Sequence, residues 1–110
     1  MRLTFVETKT YQKYSADVMD DAAKRALEST LLKNPEEGDL IGGTGGARKV
    51  RVKRVDGGKS GGFRVIYVYL SARSKIYLLL AYGKDVADDL SSAGVKLLAD
   101  VVARIKKEKK

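Results

Sequence analysis

The sequence predicts an α+β domain in which a curved antiparallel β-sheet carries helices packed on one face. Three observations lead there. RKVRVKRV (48–55) alternates apolar and basic residues, FRVIYVYL (63–70) and IYLLLAY (76–82) follow it across short glycine- and serine-bearing turns, and two other stretches repeat apolar residues every three to four positions. At 110 residues the chain is read as one domain, 1–110, with material for one core and not two.

Taken in order, Leu3 to Glu7 alternates weakly and reads as a short edge strand. A helix is expected after Asp17, because Asp20 and Asp21 suit the positive amino-terminal end of a helix, with Val18, Ala22, Ala26 or Leu27, and Leu31 as its stripe. Asn34 and Pro35 stop it, and EEGDLIGGTGG is too rich in glycine to continue it. In RKVRVKRV, Val50 and Val52 alternate with Lys49, Arg51 and Lys53, so one face of this strand is dry and the other cationic. The two apolar runs complete a three-stranded antiparallel meander. Ser91 or Ser92 can cap a last helix with the stripe Leu98, Val101, Val102 and Ile105.

Composition narrows the chemistry. The chain has no histidine and no cysteine, which removes the usual general base, thiolate metal sites and disulfides. Any catalysis must use lysine, arginine, tyrosine or carboxylates. No apolar stretch reaches the length of a membrane span and MRLTFVETKT has no signal-peptide core, so a soluble cytoplasmic protein is expected.

The net charge is +8 and unevenly spread: residues 1–47 balance at −2, whereas 48–64 reach +6, with Arg48, Lys49, Arg51, Lys53, Arg54, Lys59 and Arg64 against Asp56 alone. Such density is an anion-binding footprint. Same-face residues on a strand lie roughly 6.5–7 Å apart, which matches neighbouring phosphates of an extended nucleic acid strand. Lys49, Arg51 and Lys53 are therefore spaced to track a backbone; Arg48, Lys53, Arg54 and Tyr82 are candidate RNA-binding residues, with Tyr82 able to stack a base or move a proton. The bland counterpart is a strand kept soluble by charge.

A catalytic reading asks more of the patch. Cleavage of RNA by its own 2′-hydroxyl needs a base, charge stabilisation of the phosphorane and a donor to the leaving oxygen. Arg51 and Arg64 are candidates for charge stabilisation. Lysines crowded by cations become bases or acids nearer neutrality, which nominates Lys49, Lys59 and Lys84. DGGKSGGFR (56–64) is not a phosphate-binding P-loop, because Lys53 stands where the first glycine should be; it reads as a turn. Asp85, Asp88 and Asp89 read as residues favouring a helix start more than as metal ligands.

GDLIGGTGGARKVRV, then GGKSGGFRVIYVYL and IYLLLAYGKDVADDLS, resemble the RelE superfamily of type II toxin-antitoxin toxins, in its HigB-like branch, over about residues 3–105. The resemblance implies a toxin that cuts messenger RNA in the ribosomal A site and leaves a cyclic phosphate, with no metal or organic cofactor. It also implies a cognate antitoxin, usually of helix-turn-helix type, and operator DNA bound only through the antitoxin complex. The family's basic second-strand residues and third-strand arginine map onto Lys49, Arg51 and Arg64. Asp85 and Leu90 depart from residues common in relatives, and leave the general acid and base unassigned. The alternatives are a RelE-like module that binds RNA or antitoxin without cutting, and a basic face that mainly receives an acidic antitoxin segment.

Overall fold

The computed structural model of the chain describes residues 2–53, 62–83 and 90–108. The first strand, β1 (Thr4–Glu7), gives way at Thr8 to helix α1 (Lys9–Val18). The Thr8 hydroxyl accepts the Tyr11 backbone N–H at 3.1 Å and donates to the Leu78 carbonyl at 2.9 Å, so one side chain caps the helix and ties it to the sheet. Helix α1 is not among the elements expected from sequence. Among its described side chains the fully buried ones are Tyr11 and Ser15, and half of that pair is polar, so no hydrophobic stripe announces it.

Helix α2 (Asp21–Lys33) starts where the aspartates place it: the Asp20 carboxylate accepts the Ala23 N–H at 2.8 Å. Ala23, Leu27 and Leu31 are its buried face, and Asn34 ends it. The remaining elements are β2 (Asp39–Leu40), β3 (Ala47–Val52), β4 (Phe63–Leu70), a 3₁₀ turn at Ser71–Arg73, β5 (Lys75–Gly83) and α3 (Ser92–Lys107), whose amino end is capped by Ser91.

The strands lie in the order β1-β5-β4-β3-β2. The meander β3-β4-β5 is antiparallel as expected, but β1 joins β5 in parallel, so the sheet is mixed. Two helices and three strands intervene before the chain returns beside β1, and it returns running the same way. The short β2, unforeseen inside a glycine-rich segment, pairs Asp39 with Lys49 and Leu40 with Arg48.

The α+β class stands, with a different distribution of helices. Tyr11, Met19, Ala23, Leu27 and Leu31 pack with Val50, Val52, Val65, Tyr67, Ile76 and Leu78 on one face. On the other, Val102 and Ile105 of α3 pack with Ala47, Ile66, Val68, Tyr77 and Leu79. Helices thus flank both faces, whereas the sequence reading placed them on one. The reason is that β4 and β5 are apolar on both sides, and a sheet of that kind needs cover on each. A register shift at Ile66/Tyr67 leaves Leu79 unopposed, and both Leu79 and Leu80 reach the α3 side. Among the described residues no helix is long and apolar enough to cross a membrane.

Candidate nucleic-acid interface

Three of the candidate residues form a transverse row. Arg51 of β3 is the register partner of Arg64 of β4, and Arg64 is the partner of Tyr82 of β5. Directly opposed residues of an antiparallel pair share a face, with Cβ atoms about 4.5–5.5 Å apart. Two guanidinium groups and a phenol are therefore lined up across the sheet. Lys49 lies two residues before Arg51 on the same face, opposite Ile66, and is half-buried. Lys53 follows the strand's last residue and is exposed.

This is the face on which α3 sits, and α3 covers the Ala47, Val68 and Tyr77 end of it. The row lies at the opposite end of the same strands. One face thus grades from an apolar seat for α3 into a cationic surface.

Arg51 is exposed, but Arg64 is only 6% exposed. An open, water-facing position for Arg64 is therefore not what the fold provides. Its strand is central, so the side chains of β3 and β5 flank it on both sides, as they flank its neighbours Val65 and Ile66. Like charges directly opposed on a sheet disfavour one another. A phosphate oxygen lying over both arginines offsets that repulsion, and guanidinium forks match its geometry.

Arg48 does not join the row. It points to the α1/α2 side, where it stands opposite Tyr67, and its Nη1 donates to the carbonyls of Glu36 at 3.1 Å and Gly38 at 2.7 Å. The Tyr67 hydroxyl accepts the Gly38 N–H at 2.9 Å and donates to the Pro35 carbonyl at 2.8 Å. Burial, the largest influence, pushes the Tyr67 hydroxyl up from its usual pKa of 10.0, with the Gly38 hydrogen bond acting the other way. Together Arg48 and Tyr67 grip the 35–38 segment and so hold β2 against the edge of β3. A Cβ on Gly38 would meet the Lys49 carbonyl oxygen at 2.9 Å, so glycine is what this close approach requires. Sequence reasoning missed the clamp; its one signal is a tyrosine in a central strand, where a buried hydroxyl has to find partners.

Arg54 and Lys59 fall in residues 54–61 and Lys84 in 84–89, outside the described residues, as do Asp85, Asp88 and Asp89. Of the described neighbours of those segments, Lys53 and Gly62 stand two residues beyond the row and Gly83 one. Among the described residues no cluster of carboxylates has the makings of a metal site.

Comparison with known proteins bears on the family and the fold. The family model described as the RelE toxin of the RelE / RelB toxin-antitoxin system matches residues 3–110. The chain is also similar to a solved structure of E. coli toxin RelE, a double-arginine mutant in the free state, at 18% identity and a TM-score of 0.58, covering 96% of this chain and 99% of that one. At that identity the likeness is one of fold.

Proposed function

This chain belongs to the RelE toxin family of type II toxin-antitoxin systems, and from that premise we propose that it cuts messenger RNA on the ribosome with the Arg51, Arg64 and Tyr82 row at the centre of its site. The observation that carries the reading is the register: two arginines and a tyrosine opposed across three adjacent strands, with Lys49 and Lys53 extending the charge along β3.

In this mechanism a base takes the proton of the substrate 2′-hydroxyl, and the freed oxygen attacks the adjacent phosphorus. The bond from phosphorus to the 5′ oxygen breaks, a donor protonates that oxygen, and the products are a 2′,3′-cyclic phosphate and a 5′-hydroxyl. Arg51 and Arg64 hold the negative charge that builds on the phosphorane. Arginine stays protonated and leaves the proton traffic to other groups; Lys49, Lys59 and Lys84 are the candidates. Tyr82 stacks a base or relays a proton. The chemistry needs no metal or organic cofactor.

The finer placement in the HigB-like branch rests on the resemblance carried by the sequence motifs Gly38 to Val52, Gly57 to Leu70 and Ile76 to Ser91. With it come a helix-turn-helix antitoxin, operator DNA reached only through the antitoxin complex, and work in the ribosomal A site, hence in the cytoplasm. Induced expression tests the reading: growth arrest relieved by Arg64→Ala, in a protein that still folds, supports it, and arrest undiminished in that variant overturns the site.

The burial of Arg64 favours a second reading, a module that binds RNA without cutting it. That module shows salt-sensitive RNA binding and no cleavage with or without ribosomes.

A further inference from the structure

Cutting by the 2′-hydroxyl needs a group that arrives without a proton, and the row does not contain one. At their ordinary values lysine, arginine and tyrosine hold theirs at neutral pH, whereas a carboxylate does not, and the chain has no histidine. Among the described residues, Asp39 is the one acidic side chain that a strand places on the row's face. Strands β3, β4 and β5 carry no acid, and Glu7 of β1 alternates with Val6, which packs on that face.

The ladder fixes where Asp39 stands. It is the register partner of Lys49, and directly opposed residues share a face. Ile41 keeps the same register, its N–H donating to the Ala47 carbonyl at 2.9 Å, and its side chain joins the α3 cluster on that face. The backbone is held close, since a Cβ on Gly38 would meet the Lys49 carbonyl oxygen at 2.9 Å. Asp39 itself is exposed, open to a strand of RNA lying over the row.

We propose that Asp39 is the base that takes the proton of the 2′-hydroxyl. This rests on the cutting reading and gives its first proton transfer a residue. Asp39 and Arg51 are diagonal neighbours across β2 and β3, a spacing of about 7–8 Å, so a phosphate held by Arg51 sets its ribose within reach of the carboxylate. In displacement at phosphorus the attacking and leaving oxygens stand on opposite sides. The strand order β5-β4-β3-β2 puts Asp39 on one flank of the two arginines and Tyr82 on the other. The proton passes to Asp39, the electron pair of the O–H bond forms the bond to phosphorus, and the bond to the 5′ oxygen breaks. That oxygen takes its proton from a donor on the β5 side. Lys49, directly opposite Asp39, offsets the repulsion between carboxylate and phosphate.

The test is single-turnover cleavage of messenger RNA on programmed ribosomes by the full-length parent, D39N, D39E and E36Q, each over a range of toxin concentrations, with urea unfolding of each. Asparagine keeps the shape of aspartate and cannot take the proton, and glutamate restores a carboxylate. Glu36, exposed and outside the strands, loses the same charge in E36Q. Expected is a fall of about 100-fold or more in the saturated rate of D39N, within the range a general base contributes. The half-saturating concentration and the unfolding stay unchanged, D39E cuts faster than D39N, and E36Q cuts like the parent. A loss that appears instead in the half-saturating concentration or in unfolding, or one that E36Q shares, overturns the assignment of Asp39. Parent protein that leaves the RNA intact removes the cutting reading and this base together, whereas a cutting parent with an equally fast D39N removes the base alone.

Discussion

Arg51 and Arg64 stand directly opposite one another across the β3 and β4 ladder, the first exposed and the second almost fully enclosed. The pair places charge at two depths over one spot on the sheet. On the proposed function the outer group meets the nucleic acid backbone first. The inner one is fixed by its central strand, in surroundings where its field is screened least.

Tyr82 separates stacking from proton transfer. If the ring is a platform for a base, Tyr82→Phe keeps RNA affinity and Tyr82→Ala weakens it by about 1–3 kcal/mol. If the hydroxyl moves a proton, Tyr82→Phe lowers kcat and leaves KM unchanged. Single-turnover cleavage by the two Tyr82 variants, together with their RNA binding measured in the slowed Arg51→Ala background, distinguishes the two.

The division of the arginines between faces is visible in salt. Log affinity for single-stranded RNA falls linearly with log salt, and each phosphate contact contributes about 0.7 to the slope. Neutralising Arg51 or Lys53 reduces the slope by about that amount. Neutralising Arg48, which is bound to the Glu36 and Gly38 carbonyls on the other side, leaves the slope unchanged and lowers the unfolding temperature instead.

Tyr67→Phe removes a hydroxyl that serves Gly38 and Pro35 together. A buried donor left without its acceptor costs about 1–3 kcal/mol, so urea unfolding shifts by that much. Cleavage per folded molecule stays near that of the parent, because the clamp faces away from the row.

Burial, with Glu7 and Glu28 adding to it, pushes the Tyr11 hydroxyl up from 10.0 to about 12. Between those values the folded chain keeps a proton that the unfolded chain releases, so this contribution to stability is whole below pH 10 and is lost as the pH rises towards 12. Tyr11→Phe has no such loss. The stability difference between parent and Tyr11→Phe, followed by denaturant unfolding, therefore narrows across that window in favour of the variant.

The meander was legible because β3 alternates with period two and its neighbours are uninterrupted apolar runs, and Asp20 and Ser91 were legible as caps through their residue types. Helix α1 was hidden by a buried face built on Tyr11 and Ser15, and β2 by the glycines around it. Alternation also gave Lys49 and Arg51 a common face. It was silent on the depth of Arg64, because exposure depends on which strand lies in the middle, and on Arg48, whose contacts lie 10 and 12 residues away. The same limit hid Arg73, which donates to the carbonyls of Ile105, Lys106 and Glu108 and so holds the end of α3, more than thirty residues distant.

The most direct test is cleavage of messenger RNA on programmed ribosomes, mapped by primer extension, with the parent chain and Arg51→Ala side by side. Expected are cuts in the A-site codon by the parent, no cuts on naked RNA, and a fall of about 10²–10³ in rate for the variant with unfolding unchanged. Parent protein that leaves ribosome-bound RNA intact, or an Arg51→Ala variant that cuts as fast as the parent, contradicts it.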